Sequence, residues 1–167
     1  MSSGPRNPTV ASDAASAEQP PRLNLKPAEP TPGDHGFVDG AWWPRSRDLV
    51  AELPTLLAAL AVRLGEIQRM AYNLAEWEPA RRHLDNGGHR VRLGGFHSQG
   101  TNTIDVTGSG GHRVTLLVVP PETAAVNARA MSLAAADGHN VDSATTLLAR
   151  RASRSRNTVP RPRRAPA

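Results

Sequence analysis

Two adjacent tryptophans beside two arginines and an aspartate, Trp42, Trp43, Arg45, Arg47 and Asp48, form the most unusual run in a chain with an aromatic content of only 4%. Neighbouring residues point to opposite sides of a strand and diverge on a helix, so the two indoles cannot share one face. An outward indole beside guanidinium groups at a helix start can hold an acidic ligand or a partner's anion, through stacking, the guanidinium fork and the helix dipole together. The structural account of the same residues is that one Trp plugs the core beneath the helix while the arginines pair with Asp39, Asp48 or Glu52. Tyr72, Asn73 and Trp77 follow a later predicted strand, and either line the other wall of such a pocket or form an amphipathic rim.

A second constellation is basic. Arg81, His83, Arg90 and Arg92 fall on one face of a predicted hairpin, whose register places Trp77 opposite Phe96. Basic and aromatic residues on one sheet surface resemble, in composition, the platforms that bind single-stranded nucleic acid; the alternative is a solvated outer face. Gly94-Gly95 leaves room for backbone or an aromatic ring to pack closely. A third cluster is the tail, where Arg150, Arg151, Arg154, Arg156, Arg161, Arg163 and Arg164 stand without an acid. Such a segment binds nucleic acid or another polyanion weakly and in a salt-sensitive way. Within it, Arg150-Arg151-Ala152-Ser153 matches a basophilic kinase site, and a phosphate on Ser153 would offset close to two of those charges.

Catalytic and metal patterns do not emerge. The six histidines lack the short paired spacings of a zinc site, and the chain holds no GxSxG, HExxH or phosphate loop. With no cysteine, disulfides, thiolate metal sites and a cysteine nucleophile are excluded. The residues therefore point to no catalytic group, metal or cofactor. They suggest a binding or interaction module with a Trp/Arg contact surface for a protein or small acidic ligand. The alternatives are a nucleic-acid-associated protein using the tail and the basic hairpin face, and a small enzyme of unknown reaction.

The elements that must position these groups follow from periodicity. Leu49, Leu53, Leu56, Leu57, Leu60 and Leu64 recur on one face of a helix that Gly65 ends. Ser46 is the expected N-cap with Asp48 in the first turn, and Pro54 predicts a kink or a break into two short helices. Arg22 to Leu25 reads as an edge strand stopped by Pro27. Glu66 to Asn73 reads as a strand whose apolar alternation changes phase between Ile67 and Met70, which a bulge would reconcile. Asn86-Gly87 predicts a type I′ hairpin with Leu84 opposite His89 and Arg82 opposite Val91. A second hairpin around Ser109-Gly110-Gly111 pairs Val106 with Val114 and Ile104 with Leu116, and the apolar run to Val119 marks a central strand. Thr123 is the expected cap of an alanine-rich helix that buries Val126, Ala130, Leu133 and Ala134, and Asp142 that of a last short helix. The sum is an α+β fold, two layers with an antiparallel meander sheet and helices on one face.

At 167 residues and net charge +5, the chain divides into a Pro/Ser/Ala-rich N-terminal segment (1–21), one α+β domain (22–149) and the arginine-rich tail (150–167), with both ends expected to be disordered. Because seven positive charges lie in the tail, the domain itself is slightly acidic. No signal-peptide core precedes it, and no stretch approaches the ~20 apolar residues of a membrane span, so a soluble cytoplasmic protein without a membrane partner is expected.

The segments VDGAWWPRSRDLVAELPTLLAAL, YNLAEW, RRHLDNGGHRVRLGGFHSQ and TLLVVPPET resemble those of an actinobacterial family of small uncharacterised proteins, classed as a domain of unknown function. The resemblance spans roughly Leu23 to Leu148. It implies no activity, substrate or cofactor, and it leaves the tail outside.

Overall fold

The computed structural model describes residues 20–27 and 36–149; the expectations for the two ends, including the seven tail arginines and Ser153, lie outside the described residues. Strands β1 (Leu23–Leu25) and β2 (Gly40–Trp42) precede helix α1 (Leu49–Leu64). Then come β3 (Ile67–Asn73), β4 (His83–Asn86), β5 (His89–Phe96), β6 (Thr103–Gly108), β7 (Arg113–Val118) and α2 (Ala125–Ala136), with a short helix α3 over 144–149. The class is α+β. The sheet is not the expected antiparallel meander: its order is β1-β2-β7-β6-β3-β5-β4, with β2 parallel to β7 and β3 parallel to β5. Parallel neighbours need a crossover, and here each pair is joined through intervening elements rather than a turn.

Nor do the helices share one face. Successive strand residues point to opposite sides, so the two sides of β7 can be read separately. Leu116 and Val118 join the core under α1, with Trp42, Leu49, Leu53, Leu56, Leu57, Leu60, Ile104, Val106 and Met70. Leu117 and Val119 join a second cluster on the other side, with Ala41, Ala128, Met131, Ala135 and Leu147 of α3. Helix α1 therefore covers one face, whereas α2 and α3 cover the β1-β2-β7 end of the opposite face. Across β6, β3, β5 and β4 no described helix covers that second face.

All six leucines of the α1 stripe are buried, each burial contributing about 1.5–3 kcal/mol. Two expectations about this helix are corrected. Its N-cap is Asp48, whose carboxylate accepts from the Ala51 N–H at 3.1 Å, while the Ser46 hydroxyl donates to Glu52. Pro54 does not break it: the helix runs unbroken from Leu49 to Leu64, so burial of the stripe outweighs the single backbone bond that proline removes. Gly65 ends it at φ +70° as expected.

The second hairpin has the expected register, Val106 opposite Val114 and Ile104 opposite Leu116. The first is shifted. Its two-residue turn is Gly87-Gly88, both at positive φ, and Leu84 faces Val91 while His83 faces Arg92 and Asp85 faces Arg90. Gly-Gly satisfies a type I′ turn as Asn-Gly does, and this register sets two apolar residues opposite each other where the alternative would oppose Arg82 to Val91. In α2 the buried side chains are Ala128, Met131, Ser132 and Ala135, whereas Val126 and Leu133 are exposed. The alanine-rich helix is too weakly amphipathic for its stripe to be read reliably. Its N-cap is Ala124, so the Thr123 cap does not form, and Ser143 rather than Asp142 caps α3 by accepting from Thr146 N–H at 3.2 Å.

Candidate functional site

The Trp/Arg run resolves into separate structural tasks. Trp42 ends β2 and is 1% exposed; its ring stacks on Trp77 with centroids 5.4 Å apart and planes 14° from parallel. Trp77 is therefore part of the α1-side core rather than a sheet-surface aromatic opposite Phe96. Arg47 pairs with none of the expected acids. It donates to the Glu76 carbonyl at 2.8 Å and to the Glu122 carboxylate at 2.7 Å. Asp48 is spent on the helix cap. Tyr72 and Asn73 are buried, and Asn73 bridges the Gln99 carbonyl and the Ala75 N–H. Glu76 accepts from the Asn102 N–H at 2.6 Å, holding a non-glycine residue at φ 57°. Burial is the main influence on Glu76 and raises its carboxyl above the usual carboxylate range, with the Asn102 hydrogen bond and the Arg47 charge pulling it partly back. Trp43 and Arg45 lie apart from this node: Trp43 carries Arg22 4.0 Å over its ring, and Arg45 donates to the Pro20 carbonyl at 3.3 Å.

The hairpin face is built differently. Residues directly opposite each other across a sheet share a face, and the registers place Arg69 beside Arg92 and Arg92 beside His83. They form one row across β3, β5 and β4, which continues through Thr107 of β6 to Arg113 of β7. Arg69 reaches this row because of a bulge. The β3–β6 register slips between Ile67 and Arg69, so Ile67 and Met70 both point into the core while Gln68 and Arg69 face out. The phase change in the sequence is thus a device that aims an arginine.

Arg69, Arg82, Arg92 and His83 make no ion pair among the described residues. Arg90 and Arg113 approach Asp85 and Asp105 at 3.9 Å, both long contacts; the Arg90–Asp85 pair is exposed and worth little in stability, and Asp105 is largely buried and already accepts from Thr115 and Gln99. Like charges directly opposite in a sheet are destabilising, so the fold gains nothing from the Arg69–Arg92 juxtaposition. Beside it lies a groove of about 500 Å³ lined by those three arginines, His83, Tyr72 and Phe96, with no carboxylate. Phe96 is 41% exposed, and its ring lies back over Gly94, where a Cβ would come within 2.8 Å of it. Gly95 gives way likewise to Leu74 and Tyr72. Past the His83–Arg92 pair the Leu93 N–H still donates to the Arg82 carbonyl at 2.8 Å, and Gly94-Gly95 follow beside the groove. Burial raises the Tyr72 phenol above its ordinary value.

Of the residues the sequence singles out, His83, Arg90 and Arg92 are brought together on the open face, and Arg81 stands before β4 begins. Sequence reasoning misses Arg69, Arg82 and Arg113. The change of apolar phase at Ile67–Met70 is the signal for Arg69, since it leaves that residue facing out. Among the described residues no three His, Asp or Glu side chains gather as a metal site, and no helix is long and apolar enough to cross a membrane.

A model of a protein family of unknown function matches residues 22–135, spanning every strand and nearly all of α2. No curated protein and no solved structure matches the chain.

Proposed function

Since the chain belongs to the family of unknown function DUF5994, its site must speak for its role, and we propose a binding module that holds single-stranded nucleic acid on the open face of its sheet. The observation that carries this is the row Arg69–Arg92–His83, two guanidinium groups and an imidazole set side by side with no ion pair among the described residues. Phosphates spaced along a strand supply the missing counter-charge. Phe96, close over Gly94 and partly exposed, offers a ring for a base to stack on, and such stacking tolerates any sequence. Duplex DNA fits less well, because the platform presents side chains from pleated strands rather than an element shaped for a groove. A nucleic-acid ligand also agrees with a cytoplasmic location. The tail arginines, Arg150 to Arg164, would add affinity of the same kind.

Fluorescence anisotropy with a labelled single-stranded oligonucleotide, over a series of salt concentrations, tests the reading in the full chain. Each phosphate contact contributes about 0.7 to the log–log salt slope, so Arg69→Ala with Arg92→Ala should weaken binding and flatten that slope by about 1.4. Phe96→Ala should weaken binding while leaving the slope unchanged. If the double variant binds as the unaltered chain does at every salt concentration, the sheet face is not the site.

A further inference from the structure

The described face of Trp43 points to a second and smaller site. A cavity of about 300 Å³ lies between β1 and α2, lined by Arg22, Leu23, Asn24 and Trp43 on one side and by Arg129 and Ser132 on the other. Its lining holds two guanidinium groups and no carboxylate. Arg22 and Arg129 have no ion-pair partner among the described residues, and the Trp43 Nε1–H is buried with no acceptor. A buried donor left unpaired is costly, and beside it the two exposed guanidinium groups of Arg22 and Arg129 stand available to an anion.

The position of Arg22 is fixed before anything binds. Its carbonyl accepts from the Trp43 N–H at 2.9 Å, extending the β1–β2 ladder, and its guanidinium lies 4.0 Å over the indole. Stacking uses the face of the guanidinium plane and leaves its N–H groups, which lie in the plane, free to donate. Arg129 reaches the same space from a different element. Such a pair matches a planar or tetrahedral oxyanion, while Leu23 and the indole offer apolar surface to whatever body carries it.

We infer that this cavity binds a small organic anion, with a carboxylate or phosphate head between Arg22 and Arg129 and an apolar body along Leu23 and Trp43. The site is independent of the open sheet face, since it lies on β1 and α2, at the other end of the sheet from Arg92.

The test uses the full chain and the side-chain N–H resonance of Trp43, assigned by its loss in Trp43→Phe, with benzoate, phenyl phosphate and inorganic phosphate as probes at constant ionic strength. A saturable shift of that resonance by benzoate or phenyl phosphate, weakened at least tenfold in Arg129→Ala, is the expected result. The preference between the two aryl probes identifies the head group. Inorganic phosphate binding as tightly as phenyl phosphate would show that the apolar surface takes no part and overturn the organic-anion assignment. The absence of a saturable shift with any probe up to about 10 mM, beyond the weak end of useful affinity, would overturn the site. So would a shift of the Trp43 resonance by Glu18→Gln with no probe added, because that result assigns the cavity to the chain's own N-terminal segment.

Discussion

The Trp42 region and the β5 face contain the same kinds of residue and use them in opposite ways. Around Trp42 the groups the sequence offers for recognition are bound within the chain: Arg47 to Glu76 and Glu122, Asp48 to the start of α1, Asn73 to two backbone groups. On the β5 face Arg69, Arg92 and His83 stand side by side in one row and make no ion pair among the described residues. A rare residue type is thus a poor guide to a site. Large aromatic side chains bury so much surface that a fold of this size uses them first as core, whereas a charge left without a partner where the sheet sets like beside like has no structural use.

The largest expected effect separates these regions by stability. Trp77→Ala removes one half of the buried ring stack and should cost about 3–5 kcal/mol, read as a lowered denaturant midpoint. A Trp77→Ala protein that kept its midpoint yet lost oligonucleotide binding would invert the comparison. The converse change is Arg69→Ala with Arg92→Ala: binding should fall, while stability should hold or rise by a few tenths of a kcal/mol as the opposed charges are removed. A lower melting temperature in that variant would show that the arginines serve the fold. Asp48→Ala should cost about 1 kcal/mol through loss of the α1 cap with oligonucleotide affinity unchanged, and a binding defect there would return the Trp/Arg run to candidacy.

The smallest effect is one of pH. Burial raises the Glu76 carboxyl above the usual carboxylate range, so the folded state keeps that proton to a higher pH than the unfolded state does. Its contribution is present below the ordinary carboxylate value and lost as pH rises through the raised one. Glu76→Gln keeps an acceptor for the Asn102 N–H and should remove that slope from a plot of stability against pH. An unchanged slope would locate the titration elsewhere.

How much of this was legible depends on the range of the interactions involved. The leucine stripe of α1, the 103–118 hairpin with its register and the bulge in β3 all rest on neighbours within a helix turn or a short loop, and the pattern of apolar residues reports them. The two parallel pairings are not written in any turn. Because β3 and β5 meet only across such a parallel pairing, the Arg69–Arg92 juxtaposition has no local signal either. One hint was available: Val114 to Val119 is almost continuously apolar, and a strand apolar on both sides has cover on both sides. Read in that way, the run predicts helices on opposite faces. The tryptophan run misled for a different reason, because sequence displays which residues are present but not which are already engaged.

The parallel union of β2 with β7 has a temporal consequence. Synthesis proceeds from the N-terminus, so β1 and β2 emerge long before the strand that must receive them, and Trp42 cannot take its final place until the chain up to Val118 is made. Contacts between segments so distant along the chain form slowly because a large loop must close first. The N-terminal ribbon therefore waits for its parallel partner, and the cover that α2 lays over β1 and β2 comes later still along the chain.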